Sequence, residues 1–467
     1  MAGRPVSAVA DLGERFERTV ASFVREHRLP GAAAGVVVGD ELVWSGGYGF
    51  ADLAGRRAPD GRTLYRIASI TKTFTGTAIM QLRDEGKLDL DDPAAAHLPE
   101  LRDAISPFGA VETVTIRRLL SHESGLMGDP PDTDWTLNRY EGSPLRNLAR
   151  VGDIGTRVPP NTQQKYSNLG YQLLGEIVAR VSGVPYVAYV REQILDPLGM
   201  DATSFDPLRE DLEARRAAGY QGRWMSDELR PANPWGMDVF AEGGLWSCVD
   251  DLARWVGVQF HEGGGARNGG QILAGSTLGE MHRPRYLGDE EWTEAWCISW
   301  YAKRKDDVTW IQHSGGLPGF ITNVCFHLGE AAVGAIALLN GIADADELAM
   351  TLASVALRAA ADAVEPAEVP PPTPEVYRAL IGLYGHAEDE PLLFRLEWRD
   401  GALTFIDPET PEWRPTLAPA GGPDRYTVQP GVRESGEPVV FHRRGDGRVT
   451  GVTIGPFSLS RFDPVDQ

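Results

Sequence analysis

Hydrophobic and polar positions follow two different periods in the first part of the chain. Apolar side chains recur at helical spacing over residues 6–28, which predicts an opening amphipathic helix. The run GAAAGVVVGDELVWSGGYGFAD then predicts a β-hairpin that turns at Gly39 and Asp40. A mostly apolar helix is predicted over residues 70–85, and it ends at Gly86 because glycine commonly terminates helices. Helices and strands are therefore mixed from the start.

The rest of the chain separates into a mixed region and a β-rich tail. Residues 116–126 are predicted to be a short helix that ends in a Ser/Gly loop, and longer helices are predicted over residues 166–183 and 249–260. The HEGGGARNGG run that follows is predicted to be a loop. Apolar runs broken by glycine turns predict several strands over residues 308–340, and MTLASVALRAAADAV predicts a helix behind them. The run EPAEVPPPTPE, residues 365–375, is dense in proline and predicts an extended linker. Hairpins and short strands after it predict a small barrel or sandwich.

These patterns divide the chain into three predicted segments. Residues 1–364 are predicted to form an α+β domain, residues 365–375 a linker, and residues 376–467 an all-β domain. Two domains suit a chain of 467 residues, because a single hydrophobic core seldom extends over such a length.

Composition and charge narrow the classes of function. The chain has 45 Lys and Arg against 66 Asp and Glu, and it contains no basic run of the kind that binds nucleic acid. No apolar stretch reaches the ~20 residues that a membrane-spanning helix needs. The N-terminal residues lack the pattern of a signal peptide. We therefore expect a cytoplasmic protein with no nucleic-acid partner and no membrane partner.

The cysteines Cys248, Cys297 and Cys325 are widely spaced and include no CxxC pair. An odd number without such a pair argues against a disulfide framework and against a zinc site, so we expect buried thiols. No other cluster shows the spacing of metal ligands. The sequence therefore predicts neither a metal nor another cofactor.

The segment RIASITKTFTGTAIMQL places Ser69 and Lys72 one helical turn apart, so both side chains face the same way. A serine hydroxyl becomes a nucleophile when a neighbouring group takes its proton. A lysine in apolar surroundings has a lowered pKa and can accept that proton. A capping serine followed by a solvated lysine is the alternative, but the apolar residues that follow favour a buried helix. This pair is a candidate for nucleophilic catalysis.

Two further segments carry chemistry that suits this pair. Tyr166 and Asn168 lie at the start of a predicted helix; a phenol can relay a proton, and an amide can orient a substrate carbonyl. His313 precedes Gly315 and Gly316 ahead of an apolar strand. The glycines let a substrate lie against the strand edge, where a backbone N–H can complete an oxyanion hole. Taken singly, each segment has an ordinary structural explanation.

Together, SITK, YSN and HSGG (residues 69–72, 166–168 and 313–316) resemble the serine penicillin-binding proteins and class C β-lactamases, with their esterase and D-aminopeptidase relatives. The flanking runs LLSHESGL, ILDPLGM and WSCVDDLARW fit the same family, and the likeness extends over nearly all of residues 20–345. The resemblance implies a β-lactamase/transpeptidase-like antiparallel sheet flanked by helices, with an all-helical lobe inserted between roughly residues 85 and 230. The C-terminal domain is then expected to be a lipocalin-like barrel.

The resemblance also implies a role for each matched residue. Ser69 is expected to be the acylated nucleophile, and Lys72 to accept its proton directly or through Tyr166. Tyr166 is expected to act as general base and later to activate water or an amine. Asn168 is expected to position the substrate.

The resemblance extends to the oxyanion hole and the histidines. The backbone N–H groups of Ser69 and Gly316 are expected to form the hole, with Gly315 beside them. His313 stands where β-lactamases of this class carry lysine, and a His-x-Gly version is typical of the peptidase and esterase branches. That departure argues against β-lactamase activity. His122, in SHESG, is expected to be a structural loop residue.

The reaction class that follows is acyl transfer through a serine ester. The broad prediction is hydrolysis of esters or of peptides that carry a D-residue. The sharper alternative is a stand-alone penicillin-binding-protein-type thioesterase, which takes a carrier-protein-bound peptidyl thioester and cyclises or releases the peptide. In that version Arg461 is predicted to reach into the site and to hold a carboxylate or an acyl carbonyl. An ordinary strand arginine explains Arg461 as well.

Two other classes are less well supported. An α/β-hydrolase needs Gly-x-Ser-x-Gly, and that pentapeptide does not occur in the chain. A catalytically inactive descendant that only binds would have lost Ser69, Lys72 or Tyr166, and all three are present. We therefore expect an enzyme that acts on a small-molecule or peptidyl acyl substrate.

Overall fold

The computed structural model places the chain in two compact units, Met1–Val364 and Glu365–Gln467. The residues that it describes are 3–134, 140, 142–205, 209–222, 228–232, 240–260, 271–289, 291–329, 331–363, 373–385, 393–399, 401–406, 414–430 and 435–462. The predicted loop over residues 261–270 and most of the predicted linker, namely residues 365–372, lie outside them.

An antiparallel sheet forms the centre of the first unit. The described strands of this unit are β1 Gly31–Val38, β2 Glu41–Gly49, β3 Tyr65–Arg66, β4 Tyr220–Gly222, β5 Leu229–Pro231, β6 Trp246–Ser247, β7 Tyr286–Leu287, β8 Glu294–Trp296, β9 Tyr301–Lys305, β10 Val308–Leu317, β11 Phe320–His327 and β12 Val333–Leu339. Eight of them pair in the order β2-β1-β12-β11-β10-β9-β8-β7. The β1–β2 hairpin predicted around residues 39–40 is confirmed.

Helices cover both faces of this sheet. The described α-helices of the first unit are α1 Gly3–Ala10, α2 Gly13–Glu26, α3 Thr71–Asp84, α4 Ala94–His97, α5 Ile116–Leu120, α6 Pro144–Leu148, α7 Asn168–Ser182, α8 Tyr186–Val190, α9 Asp196–Leu198, α10 Val249–Val258, α11 Gly275–Met281 and α12 Ala345–Ala363. Ala32, Ala34 and Val36 of β1 pack in the apolar cluster of α1, α2 and α12, whereas Ala33 and Val37 pack in the cluster of α3 and α10. Burial on both faces explains why β1 is almost wholly apolar.

One of two predicted helices differs from the helix observed. The opening helix is broken into α1 and α2, because Asp11 and Leu12 close a turn at the end of α1 and Gly13 begins α2. Glycine has a low helix propensity, which favours an interruption at this point. The short helix predicted to begin at residue 116 and to end in a Ser/Gly loop is confirmed: it spans Ile116–Leu120, and the chain then turns at His122, whose φ is 60°.

The region predicted to be an all-helical lobe contains α4 to α9, which are joined by irregular segments, and its end is not helical. The three-residue ladder between β4 and β5 lies near its end. The segment leading to β4 is held by backbone bonds from Ala217 to Leu64, from Ala218 to Ala51 and from Tyr220 to Asn340. These partners lie outside the lobe, and they keep the segment extended.

The second unit is a closed antiparallel barrel. After the short helix α13 Glu375–Arg378, its strands are β13 Gly382–Gly385, β14 Leu393–Arg399, β15 Ala402–Ile406, β16 Thr416–Pro419, β17 Arg425–Val428, β18 Pro438–Arg443, β19 Val449–Ile454 and β20 Phe457–Phe462. Each strand pairs with the next, and β20 pairs with β13 to close the barrel. Closure leaves no free sheet edge. The rings of Tyr384, Phe405 and Phe441 meet edge to face inside it.

The fold class predicted from the sequence is confirmed: an α+β unit with an antiparallel sheet flanked by helices, followed by an eight-stranded barrel. Among the described residues, no single helix has the length and apolarity to cross a membrane; α7 with the segment Tyr186–Leu198 meets that test only as a pair bent by 80°.

Candidate functional site

Ser69 sits in a tight turn between β3 and α3. The preceding residue, Ala68, has φ 48°, a left-handed conformation that costs energy for any residue with a Cβ. A single 3₁₀ turn, Ala68–Ile70, then leads into α3. Ile67 and Ile70 are buried, whereas Ser69 is only partly buried. The turn therefore presents the serine hydroxyl at the helix N-terminus, facing a cleft.

Lys72, one turn further along α3, is fully buried and aims its ammonium group at this serine. Its Nζ lies 3.1 Å from Ser69 Oγ, 2.8 Å from Asn168 Oδ1 and 2.7 Å from the backbone oxygen of Glu242. Burial lowers the pKa of Lys72 to about 7, and the carboxylates of Glu242 and Asp129 oppose that shift. A substantial fraction of this lysine is thus neutral near pH 7 and able to accept a proton.

Tyr166 lies on the other side of the serine. Its hydroxyl hydrogen-bonds with Ser69, and its ring lies 4.9 Å from the Lys72 nitrogen. Burial raises the pKa of Tyr166, an effect that the bond to Ser69 only partly offsets. The phenol therefore stays protonated in the resting site. Such a group can pass a proton on, but Lys72 is the better resting base.

The start of α7 holds two of these side chains in place. Ser167 caps the helix: its Oγ accepts the N–H of Gly170 at 2.9 Å. Because the serine makes the cap, the amide of Asn168 is free to bond Lys72 on one side and Asp129 Oδ1, at 2.8 Å, on the other. The cap thus fixes Tyr166 and Asn168 on either side of one backbone turn.

His122 supports Tyr166 from behind. Its ring lies 4.2 Å from the Tyr166 ring, and its Nδ1 accepts the backbone N–H of Ser167 at 3.1 Å. Burial lowers the pKa of this histidine well below its usual value, so the ring is neutral. Through these contacts His122 holds Tyr166 and the start of α7 in position. A structural role in this loop was predicted for it.

Strand β10 passes close in front of the serine turn. A Cβ on Gly315 would come within 2.1 Å of the backbone oxygen of Ile67, so only glycine fits there. The N–H of Ser314 points away from β11, toward the hydroxyl of Tyr301. Because strand backbone groups alternate with a period of two, the N–H of Gly316 faces the same way, into the cleft. This orientation suits an oxyanion-hole donor.

His313 faces the same cleft as a neutral acceptor. Its Nδ1 lies 2.7 Å from the backbone oxygen of Ser314; a carbonyl can only accept, so Nδ1 carries the proton and Nε2 does not. Burial lowers the pKa of His313 to about 3, and the Lys72 charge adds to that effect. Nε2 is buried and has no hydrogen-bond partner. A lysine at this position would supply a positive charge, which this histidine does not.

Ser69, Tyr166 and Gly316 lie between two cavities. The first, of about 270 Å³, is called here the Asn168 cavity, and its other lining residues are Ala68, Tyr140, Asn168, Glu242, Gly243 and Leu317. The second, of about 370 Å³, is called the Asp346 cavity, and its other lining residues are Glu294, Ala295, Trp296, Tyr301, His313, Ser314 and Asp346. A carbonyl carbon at Ser69 thus has room for a substituent on each side.

Glu242, the acid in the Asn168 cavity, was not predicted from the sequence. The Glu242 carboxylate is buried and accepts hydrogen bonds from Gln172 Nε2, at 3.0 Å, and from the backbone N–H of Phe240, at 3.2 Å. Burial raises the pKa of Glu242 to about 7. Gln172 lies one turn after Asn168 on α7, so a polar pair at that spacing on an apolar helix was an available signal. Glu242 lies in a loop, where no periodicity marks it.

Arg461 lies in the second unit. Its guanidinium donates to the backbone oxygens of Ala379, at 2.6 Å, and of Ile381, at 2.9 Å, within the barrel. These bonds hold the barrel's first strand, and the predicted role in acyl binding stays a prediction.

The predicted buried thiols are confirmed: Cys248, Cys297 and Cys325 are free and buried. Within the part of the chain that the structure describes, no three His, Cys, Asp or Glu side chains come together in a way that could hold a metal ion.

This architecture is that of the β-lactamase fold. Residues 16–359 match the Beta-lactamase family, and the chain therefore belongs to that family. The resemblance deduced from the sequence is confirmed at this level.

Curated relatives support the assignment. The chain is 27% identical over 321 residues to Protein flp of Staphylococcus aureus (strain N315), an alignment that covers 66% of this chain and 59% of that protein. It therefore spans less than two thirds of that relative's length. Penicillin-binding protein 4 of Amycolatopsis lactamdurans is 29% identical over 344 residues, with 71% of this chain and 85% of that protein covered.

Solved structures share the fold. The octameric penicillin-binding protein homologue of Pyrococcus abyssi has a TM-score of 0.62 at 23% identity, covering 96% of this chain and 99% of that chain. SurE has a TM-score of 0.58 at 22% identity, covering 98% and 99%. A D-stereospecific amidohydrolase from Streptomyces sp. has a TM-score of 0.58 at 23% identity, covering 72% and 97%.

Proposed function

We propose that this protein is a serine acyl-enzyme hydrolase or acyltransferase that acts on peptidyl or ester substrates, with Ser69 as the nucleophile. The observation that carries the proposal is the 3.1 Å contact between Ser69 Oγ and a fully buried Lys72 whose pKa is lowered to about 7. A buried lysine of this kind can remove the serine proton near neutral pH.

The first half of the reaction forms the acyl-enzyme. Ser69 Oγ bonds to the substrate carbonyl carbon while its proton passes to neutral Lys72, directly or through the Tyr166 hydroxyl. The N–H groups of Ser69 and Gly316 stabilise the negative oxygen. The bond to the leaving group then breaks, and the proton is returned to the departing alcohol, amine or thiol through Tyr166.

The second half releases the acyl group. Water or an amine attacks the Ser69 ester, giving its proton to the same Lys72 and Tyr166 relay. The serine oxygen leaves and regains a proton, so the enzyme returns to its resting state. Hydrolysis and aminolysis therefore differ only in the attacking group, which the cleft must admit.

The acyl group is proposed to be peptidyl, with a D-residue at the scissile end. Structural relatives described as a D-stereospecific amidohydrolase and as SurE with D-Leu support this choice. The neutral state of His313 argues against β-lactamase chemistry, since it removes the cation that lysine supplies at this position. An Asn168 cavity with a buried acid and amides suits a peptide rather than a purely hydrocarbon acyl chain.

A second candidate is the stand-alone peptidyl thioesterase. The similarity to SurE extends over 98% of this chain and so includes the barrel. In this version a carrier-bound thioester acylates Ser69, and the peptide's own amine releases it as a ring. This version includes three further proposals. Arg461 holds a carboxylate or an acyl carbonyl of the substrate, a carrier protein delivers the thioester, and the protein is cytoplasmic.

A fluorophosphonate reagent and a D-residue peptidyl thioester test both versions. We expect an adduct on Ser69 by mass spectrometry, its loss in Ser69→Ala with an unchanged melting temperature, and cyclic or hydrolysed peptide from the thioester. Ester turnover without any peptide product would remove the thioesterase version. A well-folded chain that never forms an adduct would instead favour the inactive binding protein.

A further inference from the structure

The Asp346 cavity presents hydrogen-bond acceptors beside the candidate nucleophile. Glu294 and Asp346 contribute carboxylates, and the unprotonated, unpartnered Nε2 of buried His313 contributes a lone pair. None of the residues that line this cavity is Lys or Arg. A ligand that fills it is thus offered acceptors and needs to bring donors.

The existing partners leave this acceptor character largely intact. One Asp346 oxygen accepts the Asn323 amide at 2.7 Å. Burial raises the pKa of Asp346, as do the charges of Asp344 and Glu294, whereas the Asn323 bond and the charge of Lys303 lower it. Glu294 is exposed at the rim, where Lys303 Nζ lies 3.4 Å away. That exposed pair contributes little, and it can rearrange when a ligand arrives.

Aromatic rings complete the walls. Trp296 and Tyr301 both line the cavity, with ring centroids 5.3 Å apart. The face of an indole ring attracts a desolvated cation, and tryptophan is the strongest of the aromatic side chains in this respect. Carboxylates, a free imidazole nitrogen and an indole together match one chemical class, a primary ammonium group.

We propose that the Asp346 cavity is a subsite for a primary ammonium group carried by the leaving group of the substrate or by the amine that attacks the acyl-enzyme. The proposal rests on the proposed serine acyl-enzyme function and specifies its substrate class. The ammonium group donates to Asp346, Glu294 and His313 Nε2 and lies against Trp296. Substrates that offer only a carboxylate on this side are disfavoured.

The leaving-group source is tested with two thioesters of the same D-residue acyl group, the S-(5-aminopentyl) and the S-hexyl thioester. They differ only by ammonium in place of methyl. We expect kcat/KM to be higher for the aminopentyl thioester by roughly tenfold, the size expected of a charge-assisted hydrogen bond with a cation–π contact. The readout is the ratio of the two kcat/KM values, so differences in the fraction of active enzyme between preparations cancel.

The attacking-amine source is tested by partitioning of the acyl-enzyme. 1,5-Diaminopentane and pentylamine are added at equal concentrations of free amine, and the yields of the two amides are compared. A preference for the diamine with no preference between the thioesters places the ammonium group on the acceptor. A preference in the thioester pair alone places it on the leaving group.

Matched variants connect either preference to the cavity. Glu294→Gln removes a rim charge without a buried disruption, and we expect it to reduce the preference several-fold; Glu294→Gln/Asp346→Asn should bring it close to one. Glu347→Gln makes the same charge change next to Asp346 on an exposed side chain outside the cavity lining, and it should leave the preference as it is. If the double variant fails to fold, the Glu294→Gln result decides.

Failure of this inference is distinguishable from failure of the proposed function. If fluorophosphonate labels Ser69 and both thioesters turn over equally, with no preference for the diamine, the ammonium subsite is wrong and the acyl-enzyme stands. If Ser69 is not labelled and neither thioester reacts, the proposed function itself is wrong. A preference that survives the double variant also overturns the assignment to this cavity.

Discussion

The helix behind the candidate nucleophile and the interior of the C-terminal barrel both consist of buried side chains, but the side chains differ in chemical type. Helix α3 buries a lysine and several hydroxyls, namely Thr71, Lys72, Thr73, Thr75 and Thr77. The barrel encloses aliphatic and aromatic side chains, and Thr404 is its one buried polar side chain among the residues described. The interior around α3 is therefore defined by hydrogen bonds, whereas the interior of the barrel is defined by the packing of its side chains.

The difference shows where the fold accepts an energetic cost. Buried polar groups must find partners, and those of α3 do: Thr75 Oγ1 lies 2.6 Å from the backbone oxygen of Ala241, and Trp255 Nε1 donates to Thr73 Oγ1 at 3.1 Å. Each such bond adds little net stability, but it fixes a geometry. We therefore expect substitutions around α3 to cost activity and substitutions in the barrel to cost stability.

The largest effect is expected from Lys72→Met, which keeps side-chain length but removes the proton acceptor. Acylation of Ser69 should slow by about 10⁴-fold, at the upper end of what a general base contributes. Stopped-flow or quench measurements of fluorophosphonate adduct formation give the rate. Lys87→Met is the matched control, since Lys87 is half exposed and pairs only with Glu85 among the contacts resolved. Equal rates in the two variants would show that Lys72 is not the base.

A pair of tyrosines near the same lysine separates catalysis from packing. Removing the hydroxyl in Tyr166→Phe should lower kcat by roughly 10²- to 10⁴-fold, because the proton relay to Ser69 is lost. Tyr171→Phe removes the same atom from a ring 5.4 Å from Lys72, but that hydroxyl bonds Leu120 and Ser299 instead. It should lower the melting temperature and largely spare kcat. The reverse pattern would contradict the assignment of Tyr166.

In the barrel, Phe441→Ala tests the other half of the comparison. Phe441 is buried and meets Tyr384 and Tyr426 edge to face, so its removal should cost about 3–5 kcal/mol of unfolding free energy. Urea unfolding monitored by circular dichroism gives the value. Phe457→Ala, on an exposed strand position of the same barrel, should cost less than about 0.5 kcal/mol. A cost below about 1 kcal/mol for Phe441→Ala would show that the barrel is not held by this aromatic cluster.

The sequence was a good guide wherever one period or one spacing carried the information. The spacing of Ser69 and Lys72 fixed their shared helix face, and alternating apolar runs located β10, β11 and β12. Hairpin signals in the tail led to the barrel. These features depend on contacts between near neighbours in the chain, which a local pattern records.

The features that could not be predicted from the sequence depend on contacts between distant segments of the chain. Glu242 comes within reach of Lys72 across 170 positions, and Asp129 meets Asn168 across 39. Nothing in the local pattern of either acid distinguishes it from a solvated loop residue. The acceptor state of His313 was equally hidden, because it follows from one backbone carbonyl and from burial.

The smallest effect concerns a buried histidine of the first unit; the described histidine of the barrel, His442, is exposed. His282 is buried between Trp300 and Phe326, and it shares a hydrogen bond with Gln259 at 3.0 Å. Burial lowers its pKa from 6.5 to about 3. As the pH falls below about 6.5 the unfolded chain binds a proton that the folded chain refuses, so stability is lost toward about pH 3.

At pH 5 this single histidine should lower the unfolding free energy by about 2 kcal/mol relative to pH 8. His282→Gln removes the titration, so the variant should lose correspondingly less stability between the two pH values, even if its packing makes it less stable at both. Urea unfolding of each protein at pH 8 and pH 5 gives the two differences. Identical differences would mean that His282 binds its proton in the folded state, and that the first unit is less closed around it than its aromatic neighbours indicate.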